Sequence, residues 1–264
     1  MAPSREDLIA HLLATGMAGR VATPRENNLA HYWRLAQQDP GYTFGLEIGP
    51  EWDADAIFEL MVRRVGVDAR RNHRRGVDTI DPERTVAALD RYAARFDKAV
   101  RERQRVLFAT GHPQRLGPMY QRLAAALAKA GGTVVEAGAG AGYDDETRYG
   151  AKRLVIDYFL GVGTLMDAGG SIHTHSAMPI RLALDALRRS GRPLPDLVVA
   201  DHGWCGGAAQ AGIDAIGFAD CNDPALFVGE EIGVVAVAVP LDDGLAPERY
   251  GLLAEYILSV ASSN

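Results

Sequence analysis

Five groups of imidazoles and carboxylates stand where apolar runs end. His112 follows Val106–Ala109, and His173 with His175 follows a Gly-rich turn. Asp201-His202 follows Leu197–Ala200, Asp220 with Asn222 and Asp223 follows Ile213–Ala219, and Asp242-Asp243 follows Val234–Val239. Short apolar runs without alternation read as strands buried on both faces. Loops after strands are often polar, so each group alone says little. Together on one edge of a sheet they would make a bowl of ionisable groups, which a buried core tolerates only when they are paired. Ligands of parallel sheets sit at that edge, outside the carboxyl ends of the strands.

The residue types define the chemistry. Asp201, Asp220, Asn222 and Asp223 offer hard oxygen ligands suited to Mg²⁺ or Mn²⁺, and mixed with imidazoles they suit Zn²⁺ as well. Asp223 before Pro224 is equally a good helix N-cap. His112, His175 and His202, with Asp201, are candidates for proton transfer near neutral pH. His173 and Ser176 are candidates to bind a substrate. Gly203, Gly206 and Gly207 precede a short helix expected at Ala208–Ala211, and their N–H groups would cradle an anion. Arg25, Asn27 and Asn28 open another helix with unusual polar density and would lend a guanidinium and amides to the same ligand.

The elements that must position these residues fall into two parts. Residues 1–103 read as a helical N-terminal region packed on a sheet. Ser4 caps a first helix, Thr23 before Pro24 a second, and Asp81 before Pro82 a third. Residues 66–80 read as a polar loop, and 42–46 as a short strand or extended segment. Residues 104–264 read as an α/β domain that carries the site: a three-layer, mostly parallel, Rossmann-like sheet. Val106–Ala109, a helix over 116–130 and Thr133–Val135 form a βαβ unit. Residues 154–166 suit helix or strand, and 162–173 suit a hairpin. Ser176 caps a helix over 177–190. The glycines at 138, 140 and 142 follow a strand but open no helix, so they are not a dinucleotide fingerprint.

Composition narrows the partners. The chain has 264 residues, 47% hydrophobic and 23% charged, with net charge −6 and pI near 5.7. That acidity argues against nucleic acid. No run is long enough for a membrane span, and the N-terminus reads as a capped amphipathic helix rather than a signal peptide. Cys205 and Cys221 read as reduced, buried thiols, and the expected location is the cytoplasm. The residues do not decide the oligomeric state, a homodimer included.

The segments VATPRENN (21–28), ATGHP (109–113), YDDETRYG (143–150), HTHS (173–176), PLPDLVVADHGW (193–204), GFADCNDPALFVGE (217–230) and VPLDD (239–243) resemble a family of actinobacterial proteins of similar length labelled phosphatase. The likeness runs nearly end to end. It implies a phosphatase, and it draws VATPRENN and YDDETRYG into the site; with the residues above, the reading is a phosphomonoester hydrolase of a small anionic metabolite. The residues themselves are compatible with a divalent metal as cofactor. They argue against two covalent routes, an aspartyl and a cysteinyl phosphate, because neither D-x-D-x-T nor Cys-x5-Arg occurs. Two other functions use the same residues: a non-catalytic sugar- or nucleotide-binding protein, and an isomerase or lyase of a phosphorylated sugar.

Overall fold

The structure, a computed structural model, describes residues 2–147 and 150–262 and, at 146, 147, 150 and 262, the backbone alone. Helix starts follow their capping residues. In α1 (Arg5–Thr15) the Ser4 hydroxyl accepts the Asp7 N–H and the Asp7 carboxylate accepts the Ser4 N–H, a complete capping box. β1 (Gly19–Pro24) then leads into α2 (Arg25–Ala36). Here the expected cap is off by one: Pro24 holds the cap position without a side-chain bond, and the Thr23 hydroxyl donates to Asp220 instead. α3 (Ala54–Arg64) starts behind Asp53. β2 (Val77–Ile80) lies in what reads as a polar loop; it pairs antiparallel with β1. α4 (Pro82–Arg101) has Asp81 as its cap and proline in its first turn, as its sequence predicts. Residues 42–46 form turns rather than a strand.

The remaining strands build one mixed sheet. In chain order the elements are β3 (Arg105–Ala109), α5 (Gly117–Lys129), β4 (Thr133–Val134), β5 (Gly142–Thr147), β6 (Gly150–Phe159), β7 (Val162–Asp167), β8 (Gly170–Ile172), α6 (Met178–Arg189), β9 (Leu197–Val199), α7 (His202–Gln210), β10 (Ala215–Ala219), α8 (Pro224–Glu231), β11 (Val237–Pro240) and α9 (Gly251–Ser262). The strand order is β11-β10-β9-β3-β7-β6-β5, with β4 also on β3 and β8 also on β7. From β11 to β3, and from β3 to β4 and β7, pairing is parallel. From β7 outward through β6 to β5 it is antiparallel, and β8 folds back on β7 as a hairpin. Residues 154–166, ambiguous by periodicity, are two strands joined by a turn at 160–161, because each strand finds a partner.

The parallel strands are apolar because both faces are covered. Val106, Leu107, Phe108 and Ala109 are all fully buried. α4 packs on β10, β11 and α9, so one apolar core runs through the N-terminal helices and the sheet. α7, whose residues from His202 to Ala209 are buried, packs on β9, β10, α6 and α8. The chain is therefore a mixed α/β protein with a large, mostly parallel central sheet.

Candidate imidazole and carboxylate centre

β3, β9, β10 and β11 are parallel neighbours, so their carboxyl ends open on the same side. His112, Asp201-His202, Asp220–Asp223 and Asp242-Asp243 follow those four ends. The turn from β9 into α7 is made at His202 itself, with φ 47°. That left-handed conformation costs a residue with a side chain on the order of 1 kcal/mol. It is held by what the ring touches. His202 Nδ1 lies 2.7 Å from Asp201 Oδ2, which also accepts the Gly111 N–H at 2.9 Å. His202 Nε2 lies 3.3 Å from Asp223 Oδ2 and 3.7 Å from Asp243 Oδ2. His112 Nδ1 lies 3.3 Å from that same Asp243 oxygen.

None of His112 Nδ1, His202 Nε2 and Asp243 Oδ2 makes a hydrogen bond, although all three atoms are buried. Two further imidazoles cover them. His173 stacks on His112 with ring centroids 4.0 Å apart, and His175 stacks on His202 at 4.8 Å. The floor is buried; His112 and His175 are half-buried, and His173 is exposed. Solvent therefore reaches the centre past His173.

The electrostatics are those of crowded carboxylates. Burial disfavours the charged form of His202, but Asp223, Asp201 and Asp243 together outweigh it and hold the imidazolium well above its usual range. Burial also opposes ionisation of Asp223, and His202 outweighs it and brings the carboxyl down to about 2. Asp201 is lowered against burial by the same partner. Asp220 has no such partner: burial, then Asp243 and Asp242, push it well above the carboxylate range. Burial lowers His175, and His202 adds to it. Burial with His112, His202 and His175 lowers His173 to about 3. Among the described residues, neither Lys nor Arg pairs with any of these aspartates; Asp201, Asp223 and Asp243 pair only with histidines.

Other residues singled out by sequence are placed differently. Arg25 is fully buried, its Nη1 is 2.9 Å from Asp78, and its Nε donates to the His73 carbonyl. It does not face the centre. Asn28 donates to Asp78 at 2.8 Å and to Cys221 Sγ at 3.3 Å. Asn27 is half-buried, and among the described residues no hydrogen bond ties it to the centre. The arm does reach the Asp220–Asp223 loop, through other groups: Thr23 on Asp220, Tyr32 on the Cys221 carbonyl, and His31 on the Asn222 carbonyl. Ser176 sits ahead of the cap position Ala177, and its hydroxyl accepts the Met178 N–H. Asp223 makes no capping bond to α8; its carboxylate faces His202. In YDDETRYG, Arg148 and Tyr149 and the side chains from 146 to 150 lie outside the described residues, while Tyr143 reaches Ser176.

Of the glycines of α7, Gly203 lies in the first turn, as its sequence predicts, and Gly206 and Gly207 do not. α7 begins at His202, so Gly206 and Gly207 are inside it with N–H groups directed along the helix. Their missing side chains admit protein. A Cβ on Gly203 would stand 2.3 Å from the Ser176 carbonyl carbon, and one on Gly206 would stand 2.4 Å from the Phe44 oxygen. Both obstacles are backbone, which has no rotamer to yield. Gly203→Ala is therefore expected to destabilise the fold by about 1–3 kcal/mol and to move the His175–Ser176 turn. Thermal melts alongside activity per folded molecule check this. Unchanged values for both would show that the turn moves away freely.

Two residues of the centre have no assigned role in the sequence reading. Asp243 belonged to a strand-end pair but had no partner to suggest a task, and Thr23 reads as a helix cap. The signal for Asp243 was its position after β11, the strand next to β10.

A buried imidazole and carboxylate centre at the carboxyl ends of parallel strands stands where α/β proteins hold their ligands. Residues 3–264 match the family described as Phosphatase, and the chain belongs to that family. A relative from Streptomyces coelicolor (strain ATCC BAA-471 / A3(2) / M145), named Phosphatase SCO2771, is 49% identical over 261 residues, 98% of this chain and 97% of that one. The chain is a phosphatase. Among the described residues, no helix is long and apolar enough to cross a membrane.

Proposed function

We propose that the protein hydrolyses the phosphomonoester of a small anionic metabolite with the help of a divalent metal. One observation carries the metal: buried His112 Nδ1, His202 Nε2 and Asp243 Oδ2 lack hydrogen bonds, and the contacts from Asp243 Oδ2 to the two nitrogens are 3.3 and 3.7 Å. Ligands about 2.1 Å from a tetrahedral ion stand roughly 3.4 Å from each other. Asp223 Oδ2 also lies 3.3 Å from His202 Nε2, and His202 is common to two groups whose ligand atoms all lie within 4.8 Å of one another, His112 with His173 and His202, and His175 with His202 and Asp223. This set keeps Asp223 and an imidazole from the ligands read from sequence but replaces Asp201 and Asp220. Asp201 is turned to His202 and Gly111, and Asp220 is occupied by Thr23 and the Cys221 N–H. Imidazoles beside carboxylates favour Zn²⁺ or Mn²⁺ over Mg²⁺.

When bound, the metal supplies positive charge for the phosphoryl oxygens and acidifies a water. The other tasks belong to side chains. Asp201 holds the Nδ1–H of His202 and so aims Nε2 at the centre, as a carboxylate behind a ligand histidine does. His175, lowered by burial and hence neutral near pH 7, is suited to take a proton from the attacking water, whereas His173, brought down to about 3, is too weak a base for that step. A substrate dianion meets carboxylates and no Lys or Arg pair, which is why the cation is needed for binding as well as for chemistry. The architecture we infer is the three-layer, Rossmann-like one. It is supported by two groups of helices, α4 and α5 with α9, and α6 and α8 with α7.

The metal predicts a pH effect. His202 and Asp220 have folded values raised above their unfolded ones. Each adds stability to the metal-free fold below its unfolded value and loses that contribution as pH rises through its folded value. Asp201 and Asp223 run the other way, and Asp223 loses its contribution only as pH falls toward about 2. A cation substitutes for the departing protons. The rise in Tm on adding Zn²⁺ or Mn²⁺ is thus expected to grow between about pH 6 and pH 8. A Tm insensitive to either ion across that range would remove the metal from the reading.

A further inference from the structure

A cavity of about 200 Å³ opens beside the centre, lined by Thr110, Gln121, Phe159, Val162, Thr164 and Ser171 among others. Its position follows from the chain. Thr110 and Pro113, both in its wall, bracket His112, and Ser171 stands two residues before His173. Those two imidazoles are stacked. Thr110 belongs to both places: its hydroxyl accepts the His112 N–H at 2.9 Å, and the neighbouring Gly111 N–H donates to Asp201. A group leaving a phosphorus atom held at the centre has this cavity next to it.

The lining has a definite chemistry. No Asp, Glu, Lys, Arg or His is in it. It offers hydroxyls from Thr110, Thr164 and Ser171 and an amide from Gln121. Phe159, about half exposed at 48%, gives an aromatic face, with Val162 beside it. One of these polar groups lacks a partner: Thr164, only 3% exposed, has a hydroxyl oxygen without a hydrogen bond. A buried hydroxyl left that way is costly unless something meets it. The cavity is smaller than those that hold drug-sized ligands, so a nucleoside with its base is too large for it.

We infer that this cavity is the subsite for the alcohol part of the substrate, and that the alcohol is neutral, hydroxyl-bearing and of sugar size. This rests on the phosphomonoesterase reading above. A carboxylated or aminated alcohol would meet no counter-charge in the wall. A sugar would place hydroxyls on Thr164 and Ser171 and a C–H face on Phe159.

The test compares kcat/KM for a hexose 6-phosphate with that for methyl phosphate, which is too small to fill the cavity. In the wild-type protein the hexose ester is expected to be the better substrate. Thr164→Val, nearly isosteric, removes only the hydroxyl, and Phe159→Ala removes a ring that is about half exposed. Each is expected to lower the hexose-to-methyl ratio about tenfold, the effect of one lost buried hydrogen bond or apolar contact on discrimination. Hydrolysis of methyl phosphate with no preference for the hexose ester, or a ratio unmoved by both variants, overturns the subsite and leaves the phosphomonoesterase reading standing. Absence of turnover with any monoester, metal supplied, overturns both.

Discussion

Asp243→Asn is expected to lower kcat/KM about a thousandfold and to strip the protein of bound metal. The size follows from the several kcal/mol that a metal contributes to a phosphoryl transition state. Asp243 Oδ2 is the atom to which His112 Nδ1 and His202 Nε2 are both close, at 3.3 and 3.7 Å. An amide in its place offers a neutral oxygen or an N–H, and the N–H repels a cation. Asp201→Asn should fall in between, at about 10- to 100-fold, because Asp201 acts by holding His202 rather than by touching the ion. Elemental analysis of the purified variants, with activity titrated against added Zn²⁺ and Mn²⁺, separates ligand from holder: Asp201→Asn recovers at high metal and Asp243→Asn does not. Full activity of the wild-type protein after exhaustive chelation, with no metal in it, would turn the same residues into an acid–base relay. Asp243→Asn would then shift the pH profile without a change in metal content.

The sequence made some of this legible and hid the rest, for physical reasons. Caps that act within one turn could be read, as with Ser4 and Asp81, because donor and acceptor are three residues apart or fewer. So could the apolar strands β3, β9 and β10, whose burial on both faces leaves no choice of residue, and with them the mixed α/β class. Thr23 failed as a cap because its hydroxyl meets a partner nearly the whole chain away, Asp220. β2 was invisible because it has no apolar pattern of its own and exists by pairing with β1. Gly203 and Gly206 suggested an anion cradle, since glycine near a strand end has two readings. Only the third dimension shows the backbone of Ser176 and Phe44 filling the space. The strand-end clusters could be seen as one edge, but which oxygen faces which nitrogen depends on rotamers that no spacing encodes.

Arg25 is the sharpest such case and carries the second large effect. Polar density around it suggested an anion-binding arm. In the structure its side chain and that of Asp78 are both fully buried and 2.9 Å apart, and its guanidinium lies over the Phe58 ring. Asp78 is the hub: it also accepts from Asn28 and from the N–H groups of Asp68 and Thr79. Arg25→Ala leaves that carboxylate buried without its cation, and breaking such a pair costs about 3–5 kcal/mol. The loss is expected toward the lower end, because three neutral donors remain. Chemical denaturation should register it as a lower midpoint at an unchanged slope. Replacing both partners, Arg25→Met with Asp78→Leu, should recover part of the loss, since a buried pair exchanged for apolar side chains is often close to neutral. Inhibition by inorganic phosphate, measured on the folded fraction of Arg25→Ala, should stay near the wild-type value. Wild-type stability with phosphate inhibition abolished would reverse the assignment and return Arg25 to the anion. The structural account survives only if the fold, and not the ligand, feels the loss of this charge.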